Sequence, residues 1–379
     1  WNKWKWSWFN DGRHKEGGSL VHKNQLLKSI MAVVLGLLAG FLLMLAMGFN
    51  PIDGYTYLFK GGLMNPQRIG NSIATATPLI LTGLSFAFAN KTGLFNIGTP
   101  GQMLAGGFTV TAIGLLVDLP YPILVPLMII CGILAGAIWA AVPGLLKALF
   151  NVNEVVSAIM MNWTAYWIVY YMVPKYLKGT TETESARLAD SATLKADWLS
   201  NIFGGSYINY GIFLAIFSVL IIWFILNKTV LGYELKAVGY NRFGAEYAGM
   251  PVNRNIVVSM MIAGGLAGLA GVAQYMGNSA VLQIGVMPAQ GFDGIAVALL
   301  GNNSPFGVLL SALFFGVLYV GKGFMNANVK VPPELADTII ATIIYFAATS
   351  VVMDKVIKSI KKKREDKKLV TSGERAVEK

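Results

Sequence analysis

Few side chains in this sequence could do covalent chemistry, and their positions argue against it. The two histidines, His14 and His22, lie in a polar, basic N-terminal stretch, and the single cysteine, Cys131, sits inside an apolar run. No internal disulfide can form, and the body of the chain has no histidine for a metal cluster or a catalytic dyad. One phosphate-loop pattern is deceptive. Gly316-Val-Leu-Tyr-Val-Gly321-Lys322-Gly323 has the Gly and Lys spacing. Yet Gly323 stands where a Ser or Thr must hold magnesium, and the segment is an apolar run instead of a strand-to-helix turn. What remains is a set of polar residues inside or at the ends of apolar runs: Asn71, Thr75, Thr77, Asn162, Thr164 and Gln274, with one carboxylate, Asp293. Such groups are costly in apolar surroundings and face an interior or a water-filled path. Hydrogen bonding between helices, at about 0.6 kcal/mol per contact, accounts for each of them equally well. Glu154, preceded by Asn153, fits helix capping and dipole chemistry.

The elements that hold these residues follow from composition. Of 379 residues, 55% are hydrophobic and 13% charged, and 42 are Gly; mean hydropathy is +0.58. The charged share is about half the ~25% of soluble proteins. A disordered chain, a coiled coil and a secreted disulfide scaffold are excluded on this balance, and it argues strongly against a soluble enzyme. Few charges with much Gly is the composition of packed transmembrane helices. Apolar runs long enough to cross ~30 Å of hydrocarbon cover 27–48, 73–89, 123–149, 154–173, 209–226, 255–276, 306–325 and 336–353. Two weaker, Gly-rich segments, 98–117 and 289–303, bring the expected number to ten, or eight if both are re-entrant.

The net charge of +11 sits mostly at the two ends: 1–28 carries +4 and 354–379 carries +5. Basic flanks mark cytoplasmic ends and favour anionic membrane lipid, whereas a nucleic-acid surface would need a basic face on a folded domain. With both termini inside, cytoplasmic segments hold 22 of the 30 Lys and Arg residues. The expected division is a Trp/Lys-rich arm over 1–26, a membrane domain over 27–353 and a basic tail over 354–379, whose run Lys361-Lys362-Lys363-Arg364 reads as a juxtamembrane anchor. The extracytoplasmic loop is 174–208 and the large cytoplasmic loop 227–254. Trp1, Trp4, Trp6 and Trp8 read as an interfacial anchor or as a mis-assigned start. The first apolar run ends without a small-residue cleavage pattern and reads as a retained span.

Two interruptions stand out. Gly93-Leu94-Phe95-Asn96-Ile97-Gly98-Thr99-Pro100-Gly101-Gln102 places two amides, a Pro and three Gly between apolar runs. Gln290-Gly291-Phe292-Asp293-Gly294 opens the second, which closes at Gly301-Asn302-Asn303-Ser304-Pro305. Irregular backbone at membrane depth must be satisfied by protein or by a wet cavity, and paired broken segments in two halves point to a transporter built from inverted repeats. Ordinary turns at the membrane surface are the alternative. Gly264, Gly265, Gly268 and Gly271, with Gly132 and Gly136 at GxxxG spacing, read as close helix packing.

In the loop 227–254, Asn241 is a good N-cap, Gly249 a good C′ residue, and Pro251 follows. A helix of about two turns lies between them. Phe243 and Tyr247, four residues apart, share one face. Such a ridge suits docking into a partner's groove or lying on the membrane surface.

These residues resemble a known family. The loop Gly232–Gly249 resembles the cytoplasmic coupling segment of ABC importer permeases of the branched-chain amino acid/ribose type. Gly291 through Gly307 (GFDGIAVALLGNNSPFG) is similar to that family's second-half signature. Gly93–Gln102 together with Asn153–Asn162 (NEVVSAIMMN) is closer to the nucleoside, basic membrane lipoprotein-dependent branch. The likeness spans roughly 27–353. It implies an all-α polytopic membrane protein of about ten transmembrane helices, with the type II-like importer fold of two inverted five-helix halves. It implies a second permease that is a different chain, an ABC ATPase, a lipid-anchored extracytoplasmic binding protein, and a bacterial plasma-membrane location. It implies nucleosides as cargo, no cofactor in this chain, and ATP and Mg bound by the ATPase partner. The expected substrate path runs near Asn71, Asn96, Gln102, Asn162, Gln274, Phe292 and Asp293. The expected ATPase contact is Asn241, Arg242, Phe243, Gly244, Glu246, Tyr247 and Gly249. A sugar or other small polar solute is the first rival cargo. An ion-driven carrier using Asp293 is the second rival, and a membrane enzyme lacks a credible constellation.

Overall fold

The computed structural model describes residues 13–181 and 183–348, and among them the regular structure is helical apart from isolated bridges. The Trp-rich segment before residue 13 and the basic tail from 354 lie outside the described residues. The helices are α1 (Arg13–Ala46), α2 (Pro51–Leu63), α3 (Pro66–Lys91), α4 (Thr99–Leu116), α5 (Tyr121–Phe150), α6 (Glu154–Tyr176), α7 (Asp197–Ile202), α8 (Gly211–Lys228), α9 (Val230–Tyr240), α10 (Arg242–Tyr247), α11 (Val252–Val272), α12 (Ala289–Leu300), α13 (Pro305–Val329) and α14 (Pro333–Ala348). A single π-turn, Ala273–Asn278, extends α11.

Among the described residues, six helices are long and apolar enough to cross a membrane: α1 from Ser29, α3, α5, α8, α11 with its π-turn, and α13. The other expected spans are also helical over their described residues. α12 has only 12 residues, about 18 Å at 1.5 Å per residue, too short to cross ~30 Å alone. The sequence reading also passed over α2. Asn50 caps it, its side chain accepting from the Ile52 amide at 3.1 Å, with Pro51 in the first turn. Its small residues Gly61 and Gly62 then sit against Gly321 and Val317 of α13. Thirteen residues with a Lys and an Asp carry no span-like pattern.

Contacts divide the chain into two units. In the unit formed by residues up to Leu43 and from Thr338 onward, Gly36 of α1 packs on Ile343 of α14. In the unit Met44–Asp337, α3 and α11 are the inner helices, with residues 76–89 of α3 and 263–273 of α11 buried throughout. α5 turns the aliphatic row Ile123, Ile130, Leu134, Ile138 and Val142 outward, as a lipid-facing stripe does.

The glycines of α5 and α11 form a seam. Gly136 faces the backbone of Gly264 and Gly268, Gly268 faces the Gly132 carbonyl, and Gly106 of α4 also meets the backbone of Gly268. Without side chains the backbones come within van der Waals contact, which is the attraction available to helices in lipid. A Gly264→Val side chain would strike Ala140 and the Gly136 carbonyl, whereas a Cβ on Gly323 would meet nothing within 4 Å. Overpacking costs about 1–3 kcal/mol. Thermal unfolding in detergent is expected to show a clearly lowered midpoint for Gly264→Val and an unchanged one for Gly323→Ala.

Candidate functional site

The first interruption is built by local chemistry. α3 ends in a Schellman motif: Gly93 has φ +75°, Leu94 N donates to Ala89 O at 3.1 Å and Gly93 N to Asn90 O at 3.0 Å. The chain then doubles back beside α3. Asn96 Nδ2 donates to Ser85 Oγ at 3.2 Å and to Gln102 Oε1 at 3.0 Å. Its Oδ1 accepts from Gln102 Nε2 at 2.9 Å and from the Gly98 amide at 3.2 Å. Every site on the Asn96 amide is thus used. Asn162 of α6 accepts from the Gly101 amide at 2.9 Å and donates to the Ile97 carbonyl at 3.0 Å. Asn96, Gln102 and Asn162 are buried, at 0%, 1% and 3% exposure. They replace the helix ladder where it is broken, so that an irregular backbone can be sealed away from water.

The second interruption meets the first. A Cβ on Gly291, in the first turn of α12, would lie 2.6 Å from Pro100 in the first turn of α4. Gly294 packs on Thr82 of α3. At its far end α12 closes on Asn302 and Asn303, both left-handed, and Asn303 Nδ2 donates to Asn90 Oδ1 at 3.2 Å. Ser304 caps α13 by accepting from the Gly307 amide at 3.1 Å. Near the start of α12, Phe292 is half-exposed. Asp293 lies beside Tyr319 and close to the Lys322–Asp337 ion pair of 2.8 Å.

The structure does not bring all seven expected path residues together. Asn71 and Gln274 belong to a separate cluster around the π-turn. Asn71 Oδ1 accepts from the Tyr207 amide at 3.2 Å. Asn278 Nδ2 donates to the Ala74 carbonyl at 3.0 Å and to Gln274 Oε1 at 3.4 Å. Asn209 Nδ2 donates to Asn278 Oδ1 at 2.9 Å. The π-turn has a surplus residue per turn that frees such groups. Sequence reading missed Ser85, Tyr207, Asn209, Asn278 and Tyr319. The only signal for the two asparagines was an amide at the end of an apolar run. In the loop beside this cluster, the hydrogen bond and charge of Lys195 hold the exposed Asp190 carboxyl below its ordinary range.

The loop after α8 folds as α9 and α10. Asn241 Oδ1 accepts from the Gly244 amide at 3.0 Å and caps α10. Gly249 at φ +78° closes it, with Met250 N donating to Ala245 O at 3.0 Å. Arg242 donates to Asn151 at 3.4 Å and to Asn253 at 3.2 Å. Ala245 faces inward, and Tyr240, Phe243 and Tyr247 are 92%, 80% and 97% exposed. Gly244, Glu246 and Gly249 are exposed beside them. α9 seats on the first interruption: Gly239 packs on the Lys91 carbonyl and on Gly93. Nearby Thr92 and Ser259 share a 2.8 Å hydrogen bond, and Asn255 of α11 donates to Glu234 at 3.0 Å. One block therefore joins the exposed aromatic ridge to the broken end of α3.

Glu154 is capped as its surroundings suggest, with Asn153 accepting from the Val155 amide at 2.9 Å, and it pairs with Lys147 at 3.0 Å. Among the described residues no group of three His, Cys, Asp or Glu is placed to hold a metal.

Comparison with known proteins agrees with this architecture. The chain is 41% identical over 341 residues to the guanosine ABC transporter permease protein NupP of Bacillus subtilis, covering 90% of this chain and 98% of the relative. It is 39% identical to the nucleoside ABC transporter permease protein NupB of Lactococcus lactis, over 93% and 98% of the two chains. It is 33% identical to the glucose ABC transporter permease protein TsgB13 of Haloferax volcanii, over 85% and 86%. The first two organisms each supply a second, more distant permease match, NupQ and NupC, at 28% and 26% identity. Residues 68–348 match the family described as branched-chain amino acid transport system / permease component. The chain is a multi-pass membrane protein and belongs to that permease family.

Proposed function

We propose that this chain is the membrane permease subunit of a bacterial ABC importer for nucleosides. The observation that carries the reading is the likeness, at 39–41% identity and over 98% of each relative, to two permeases named for guanosine and nucleosides. The chain performs no covalent chemistry; separate ATPase subunits bind ATP and Mg and hydrolyse the nucleotide. The pairing of NupP with NupQ and of NupB with NupC supports a second permease chain that completes the pathway. A lipid-anchored binding protein delivers the cargo from outside. Both termini are cytoplasmic by the positive-inside rule, in the plasma membrane. Ten crossings in two inverted five-helix halves fit the paired breaks, with α12 reaching only part-way.

In this arrangement the aromatic ridge of α10 docks on the ATPase, and α9 passes ATPase closure to the break after α3. Phe292 and Asp293, with Asn71 and Gln274, line the route. Asn96, Gln102 and Asn162 hold its wall in shape. An uncharged nucleoside suits amides, hydroxyls and rings. The glucose permease relative favours one rival, a sugar importer. Uptake of radiolabelled guanosine and uridine by cells expressing the full complex separates the two. Strong competition by unlabelled nucleosides and none by glucose is expected. Competition by glucose alone would overturn the cargo.

A further inference from the structure

We propose that the exposed aromatic face of α6 is the surface on which the nucleobase stacks as it passes; this rests on the nucleoside reading above. Trp163, Trp167 and Tyr171 are 51%, 58% and 62% exposed. With Met160 and Thr164 they line an open groove along α6 itself. The rings are held from behind. Trp163 and Trp167 each meet Tyr166 edge-on, at 5.4 and 5.2 Å, and Tyr166 Oη donates to the Gly285 carbonyl at 3.4 Å.

Depth argues against lipid as the occupant. α6 has 23 residues, so Trp163 and Trp167 lie about 14–20 Å along a helix of about 35 Å, near its middle. Lipid-facing Trp and Tyr gather at the two membrane surfaces, and the outward row of α5 is aliphatic through the middle of that helix, at Ile130, Leu134 and Ile138. Continuity argues for the cargo. Asn162 is bonded to Gly101 in the first turn of α4, and that turn meets Gly291 in the first turn of α12. The next residues in sequence, Trp163 and Phe292, are both exposed. The aromatic face therefore starts at the level where two broken helices begin, and in ion-driven carriers built from inverted repeats such helix ends are where the cargo is held. Every nucleobase has a π-face, and stacking on aromatic rings tolerates sequence differences among bases. A purine, with the larger face, gains more.

The test uses the assembled complex in proteoliposomes with guanosine and uridine as probes. Trp163→Ala and Trp167→Ala are expected to raise the apparent KM for transport about tenfold each, more for guanosine than for uridine. Trp163→Phe and Trp167→Phe, which keep a ring, are expected to recover most of that loss. Partner co-purification is expected to stay unchanged. Wild-type kinetics in the Ala variants would overturn the proposal and return this face to lipid. Loss of the second permease from the complex would overturn it by assigning the face to the subunit interface. Equal losses in the Phe and Ala variants would show packing instead of stacking. No nucleoside uptake by the wild-type complex would overturn the cargo reading itself, and this proposal with it.

Discussion

The double variant Phe243→Ala, Tyr247→Ala is expected to lose ATPase docking and, with it, transport. These rings are 80% and 97% exposed, so they contribute little to the fold of α10. That helix is held by the Asn241 cap, the Gly249 closure and the buried Ala245. Aromatic anchors at the centre of an interface commonly cost about 2 kcal/mol or more each when truncated. Two such losses amount to about a thousandfold in affinity if they add. Transport should fall at least tenfold, and the ATPase should no longer co-purify at ordinary salt, while thermal unfolding of the permease in detergent stays at the wild-type midpoint. ATPase stimulation and uptake unchanged in the double variant would remove α10 from the coupling pathway.

The second large effect is structural. Asn162→Leu keeps the number and branching of side-chain heavy atoms and removes both hydrogen bonds, leaving the Gly101 N–H and the Ile97 carbonyl buried and unpaired. Each orphaned group costs about 1–3 kcal/mol. The average of about 0.6 kcal/mol for polar contacts between membrane helices does not transfer, because there the broken contact is between side chains that find other partners. Here the partners are backbone groups at a break with no ladder to return to. Asn162→Leu should lower the unfolding midpoint strongly, and Asn162→Gln, which retains an amide, should lower it less. A midpoint for Asn162→Leu equal to wild type would mean that the break is satisfied by something other than this amide.

Local chemistry was the part of the molecule most legible in the sequence. Asn241 and Gly249 place α10 to within a residue, because a cap and a left-handed closure need only their neighbours. The main apolar runs appear as helices for the same reason that they were visible: a long hydrophobic stretch has few other ways to satisfy its backbone. The orientation of polar side chains was not legible. Asn96, Gln102 and Asn162 are amides in apolar surroundings, as are Asn71 and Gln274, and nothing in spacing says which will bond to each other. The structure shows the first three bonded to one another or to the broken backbone, and the other two in a second cluster. Also hidden were α2, whose helix depends on glycines of α2 and α13 from distant parts of the chain, and the π-turn, which has no residue signature.

The aliphatic outer row of α5 and the mid-depth tryptophans of α6 show why composition alone under-reads such a chain. Both faces are hydrophobic and both are exposed. Only ring type and depth distinguish a surface for lipid from a surface for cargo.

The most direct measurement is guanosine uptake into proteoliposomes holding this chain, the second permease, the ATPase and the binding protein, with and without internal-site ATP hydrolysis. Accumulation that requires ATP, and that disappears when the ATPase subunit carries an inactivating substitution, is the expected result. Accumulation that persists with the inactive ATPase, driven by an ion gradient, would contradict the assignment of this chain as an ABC importer permease and return Asp293 to the centre of the mechanism.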